Sequence, residues 1–135
     1  MSAPFPTFDE VFRALHGGRD PYPWQSRLAQ EIANAGWPTQ IAIPTGLGKT
    51  STIVHGIYEL ARQLHFETSS RTAPQRIVHI AERRTIIDTT AQYAARIAQQ
   101  INAAQDPASA PVLAPVRAAL ARLLGEGDDE VIAVA

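Results

Sequence analysis

Apolar positions recur along this chain in two distinct patterns. Phe8, Val11, Phe12 and Leu15 have the spacing of one helix face and predict a helix over 9–16, ended by Gly17-Gly18. Arg19-Asp20-Pro21-Tyr22-Pro23 reads as a rigid turn. Trp24, Leu28, Ile32 and Ala35 then predict a second helix over 24–35, stopped by Gly36 and Pro38. The stripe Ile53, Ile57, Leu60, Leu64 predicts a third helix over 49–64. Ile87, Ala91, Ala94, Ile97 and Ile101 predict a long one after Glu82-Arg83-Arg84, and a last helix is expected over 116–124. Between these lie three short apolar runs without helical spacing, 41–43, 76–81 and 131–135, which read as strands. Residues 67–75 and 105–111 read as connections, and 1–7 as a Pro-rich start.

Strands alternating with helices predict an α/β fold, a parallel sheet with helices on both faces, preceded by two short N-terminal helices. The expected division is 1–38 as a helical segment and 39–135 as the sheet-forming part. Binding sites in such sheets lie at the carboxyl ends of strands, where the loop after 41–43 and Glu82-Arg83-Arg84 would share one edge.

That loop carries the clearest chemistry. Ile41-Ala42-Ile43 leads into Pro44-Thr45-Gly46-Leu47-Gly48-Lys49-Thr50, which opens a helical pattern. Gly46 and Gly48 lack a Cβ, so the backbone can turn tightly and bring its N–H groups to phosphate oxygens. A helix N-terminus adds unpaired donors and the positive end of its dipole. Lys49 would reach the β- and γ-phosphates, and the Thr50 hydroxyl would hold Mg²⁺. Lys49 is the only lysine among twelve Lys and Arg residues. Arginine, with its planar fork, is a poor substitute for that ammonium. The full phosphate-loop pattern has glycine where this chain has Ile43.

Two readings are open at Gln25. Its amide could donate to and accept from the edge of adenine, or it could be a solvated residue on a surface helix, the better reading on position alone. Phe8, Phe12 and Tyr22 could offer a stacking face, with core packing the better reading for both phenylalanines. Arg83 and Arg84 read either as phosphate contacts or as solvated and ion-paired surface.

Composition narrows the classes. With 135 residues, 45 % apolar and 19 % charged, the chain is sized for one core of ordinary globular composition. A net charge of −1 gives no basic field that would announce a nucleic acid. Without cysteine there are no disulfides or thiolate metal sites. The four histidines show no metal-ligand spacing. No signal pattern or membrane-length apolar run is present, so a cytoplasmic protein is expected.

The order Tyr22-Pro23-Trp24-Gln25, then Ile43-Pro44-Thr45-Gly46-Leu47-Gly48-Lys49-Thr50, then Ile80-Ala81-Glu82-Arg83-Arg84-Thr85-Ile86-Ile87-Asp88, resembles the start of a superfamily 2 helicase. Within that group it is most similar to the CRISPR-associated helicase–nuclease of type I systems. The resemblance implies a partial RecA-like domain, ATP and Mg²⁺ as ligands, and single-stranded DNA and a CRISPR effector complex as partners of the parent protein. It makes Gln25 the adenine-reading glutamine and Pro44, Thr45, Gly46, Leu47, Gly48, Lys49, Thr50 and Ser51 the triphosphate site. Lys49 takes the catalytic role and Thr50 the metal. Arg83 and Arg84 fall in the motif that touches the DNA backbone. That motif usually opens with Asp, where Glu82 stands here, and its later glutamine is replaced by Thr89-Thr90.

Hydrolysis needs a metal-holding acid at the end of an apolar strand. Asp128-Asp129-Glu130 precede their apolar run and read as a turn. The expectation is therefore the N-terminal piece of an ATP-dependent DNA helicase, binding nucleotide but barely turning it over. The alternatives are a small phosphotransferase, a non-catalytic nucleotide-binding domain and a truncated remnant.

Overall fold

A computed structural model describes residues 4–44, 46–125 and 127–135. Its order is α1 (Phe8–Leu15), α2 (Pro23–Ala35), α3 (Thr52–Gln63), α4 (Arg84–Asn102) and α5 (Leu113–Leu120). Single 3-10 turns occupy Lys49–Ser51, Thr68–Ser70 and Ala121–Leu123. No strand occurs among the described residues, so the expected α/β, RecA-like parallel sheet is corrected to an all-helical fold.

Each helix starts and stops for local reasons. Thr7 and Glu10 form a capping box at α1, the hydroxyl accepting from Glu10 N–H at 3.2 Å and the carboxylate from Thr7 N–H at 3.0 Å. Pro23 occupies the first turn of α2, where its missing N–H costs nothing. At the C-terminus of α3, Arg71 and Arg122 both donate to the Leu64 carbonyl, at 3.2 and 2.8 Å, meeting the negative end of the helix dipole.

The core is a helix-on-helix layer. α3 packs against α1, α2 and α5, and α5 also against α4. Phe8, Val11, Phe12 and Leu15 from α1 meet Val54, Ala61 and Leu64, with Ile97 and Ile101 from α4 and Val116 and Leu120 from α5. The stripes expected on α3 and α4 are only partly buried. Ile53, Ile57, Leu60, Ile87, Ala91 and Ala94 line an apolar groove of about 630 Å³ instead, together with residues 74–79 and 131–135.

The three apolar runs thus stay single, and side chains explain part of why. Asn102, at the end of α4, takes the N–H groups of Val131 and Ile132 on its Oδ1 at 2.8 and 3.0 Å and donates to Ile132 O at 2.9 Å. The chain bends at both residues, which removes them from any ladder. Gln63 takes the N–H groups of Thr72 and Ala73 at 2.7 and 2.8 Å, fixing the chain just before 76–81. Short parallel pairs are weak and gain little against such local satisfaction.

Candidate functional site

The loop between α2 and α3 is held by α2. Trp24 Nε1 donates to Leu47 O at 3.0 Å. Gln25 Nε2 donates to Ser51 Oγ at 2.7 Å and to Gly48 O at 3.3 Å, while its Oε1 accepts from Tyr22 N at 2.7 Å. Ser51 Oγ in turn donates to Gly48 O at 2.6 Å. Gln25 is 2 % exposed, which corrects the reading of a solvated surface glutamine. Both amide hydrogens are committed inside the protein, leaving one lone pair on Oε1.

Gly46 and Gly48 both have positive φ, +87° and +80°. A Cβ on Gly48 would lie 2.9 Å from Gln25 Nε2, so glycine is needed there for both backbone and space. The loop runs into the 3-10 turn Lys49–Ser51 and on into α3 without a break. The N–H groups of Gly48, Lys49 and Thr50 have no backbone acceptor among the described residues.

Beneath the network lies His55, 1 % exposed and stacked on Phe8 with ring centroids 4.3 Å apart. Its Nε2 lies 2.8 Å from Gln25 O and its Nδ1 3.3 Å from Ser51 O. Burial pushes its pKa down, against the opposing effect of those two carbonyls. The neutral ring has one N–H, and the shorter contact assigns it to Nε2.

A cavity of about 540 Å³ opens in front of the loop, within the usual size of small-molecule sites. Gly46, Gly48, Thr50 and Ser51 line it from the loop. Phe12, His16, Tyr22, Gln25 and Tyr93 line it as well, with Arg19 and Asp20, and of these Gln25 is bonded directly to the loop. His16 Nδ1 is 2.7 Å from Phe12 O, which can only accept, so Nε2 accepts the Tyr93 hydroxyl hydrogen, also at 2.7 Å. Burial lowers the His16 pKa, with Arg96 and Arg19 adding to it. Burial raises Tyr93 to about 12. Asp20, the one carboxylate in the lining among the described residues, is bound to Arg13 at 3.0 Å.

The structure therefore brings Gln25, Gly46, Gly48, Thr50 and Ser51 to one place. Lys49 is exposed and outside the cavity lining, and Pro44 and Leu47 are also outside it. Thr45 lies outside the described residues. Arg83 and Arg84, at the start of α4, are exposed and make no ion pair among the described residues. Phe8 is a core residue at 5 % exposure, whereas Phe12 is buried yet reaches the cavity. Sequence reasoning missed His16, Arg19, His55 and Tyr93. No side-chain motif in the sequence announces them.

The groups fit a triphosphate with Mg²⁺ in part. Three N–H groups with no backbone acceptor among the described residues suit phosphate, and the Thr50 hydroxyl oxygen suits a metal. No group of three His, Asp or Glu residues able to hold a metal occurs among the described residues, so a metal here would depend on the phosphates for most of its ligands. No described helix is long and apolar enough to cross a membrane. Comparison with protein-family models, with curated proteins and with solved structures finds no match to this chain.

Proposed function

We propose that this chain binds ATP with Mg²⁺ in the cavity lined by the glycine loop and the aromatic residues near it. The observation that carries the reading is the joining, in one cavity of about 540 Å³, of two positive-φ glycines with Phe12, Tyr22 and Gln25. The triphosphate lies against the N–H groups of Gly48, Lys49 and Thr50, with Lys49 swinging in from the surface and Thr50 toward the metal. The base lies toward Tyr22, near the free lone pair of Gln25 Oε1. The resemblance to superfamily 2 helicases supports a role for this binding in an ATP-dependent DNA helicase of a CRISPR system, with Arg83 and Arg84 toward single-stranded DNA. Among the described residues the only lining carboxylate is Asp20, which pairs with Arg13, so the chain binds nucleotide without efficient hydrolysis.

Thermal unfolding with and without Mg-ATP tests this. At a hundredfold excess over Kd, binding to the native state contributes about 2.7 kcal/mol, a rise in Tm of roughly 10 °C for a chain of this size. Lys49→Ala should remove most of the rise without lowering the Tm of the free protein. A transition that ignores Mg-ATP, or a shift that Lys49→Ala leaves intact, would refute the assignment.

A further inference from the structure

Residues 76–81 run without helix, turn or bend, between bends at Gln75 and Glu82. None of their N–H or C=O groups bonds to another backbone group among the described residues. One side of the segment is anchored. Ile77 Cδ1 sits so close to Gly56 of α3 that a Cβ there would lie 2.6 Å away. On the alternate positions, Val78 and Ile80 are 71 % and 89 % exposed, the two most exposed large apolar side chains described. A straight run with free backbone groups and bare aliphatic side chains is an open strand edge, which templates the pairing of another strand.

The sequence of the segment says which strand fits. Arg76-Ile77-Val78-His79-Ile80-Ala81-Glu82 is self-complementary when reversed about His79. In an antiparallel pair of two copies, Arg76 stands opposite Glu82, Ile77 opposite Ala81, Val78 opposite Ile80, and His79 opposite its counterpart. Side chains alternate between faces, so each pair falls on a single face. The outer face carries Val78 against Ile80, flanked at both ends by Arg76 against Glu82. The inner face keeps Ile77 on the α3 of its own copy. Opposite charges and aliphatic pairs directly across a ladder stabilise it, each by about 0.2–1 kcal/mol.

We propose that the chain forms a two-fold symmetric dimer through antiparallel pairing of residues 76–82, in the register centred on His79. The contact is isologous, so the same edge of both copies is used and the pairing itself closes at two copies. It sets Val78 beside Ile80 of the other copy and satisfies the backbone groups along the paired edge.

Sedimentation velocity over a concentration series tests the proposal, using the whole chain and charge variants. Arg76→Glu sets two like-charged pairs across the ladder, and so does Glu82→Arg. Each single variant should weaken dimerisation about tenfold or more, while the helical circular dichroism signal stays unchanged because both residues are exposed and lie outside the helices. Mixing the two variants restores both pairs in a heterodimer, and the double variant restores them within one chain. Recovery in both cases supports the register. A chain that stays monomeric throughout would overturn the proposal and leave the edge to a strand from another protein. A dimer insensitive to both variants would place the contact elsewhere and overturn it equally.

Discussion

Gly48 is under two constraints where Gly46 is under one. Both have positive φ, but only at Gly48 would a Cβ meet another group, the Gln25 amide at 2.9 Å. Gly46→Ala adds backbone strain alone, about 1–2 kcal/mol. Gly48→Ala adds the same strain and also displaces the Gln25 donor from Gly48 O and Ser51 Oγ, for about 2–4 kcal/mol in all. Urea unfolding of the two variants should show the larger loss for Gly48→Ala, together with loss of the Mg-ATP effect. Equal losses at the two positions would show that Gln25 does not brace the loop. The residue types and spacing of the loop made it legible in the sequence. The burial of Gln25 was not legible, because an amide followed by Ser and Arg reads as surface. His55 was opaque for a related reason. Its partners are backbone carbonyls of Gln25 and Ser51, which no side-chain motif announces.

At the scale of elements, helices could be read and strands could not. A helix closes its hydrogen bonds within itself, so the stripes on α1 and α4 sufficed to find both. A strand depends on a partner. The runs 41–43, 76–81 and 131–135 have the apolar character of strands, yet the third is held by Asn102 and the second stands alone. Periodicity also overstated burial. It treats Ile87 and Ile101 on α4 as equivalent, whereas the first is 45 % exposed over the groove and the second is 0 % exposed in the core. Ile101→Ala should therefore cost about 2–5 kcal/mol and Ile87→Ala under about 1 kcal/mol, read from urea midpoints. Similar costs at the two sites would mean that the groove is filled in solution.

Two buried histidines tie the molecule together across its helices, and they make its stability depend on pH. His16 links α1 to α4 through Tyr93, and His55 links α3 to α2 through Gln25 O. Burial lowers the pKa of both below the ordinary value of 6.5. The unfolded chain therefore binds protons at a higher pH than the native one does. Stability is complete above about pH 6.5 and falls as the pH drops from there toward the native-state values. Each unit of depression is worth about 1.4 kcal/mol. For His16, burial opposes charging and is reinforced by Arg96 from α4 and Arg19 from the turn, while the Phe12 carbonyl favours the charged ring. For His55, the opposing factor is burial itself. Between pH 7.5 and 5.5 the carboxylates contribute little, so the urea midpoint in this window reports mainly on histidine. It should fall steadily on acidification, with His16→Gln and His55→Gln each flattening the slope and the double variant nearly abolishing it. A midpoint that is level or rises toward pH 5.5 would mean that these rings are not held neutral, and that the helices are not joined through them as the geometry indicates.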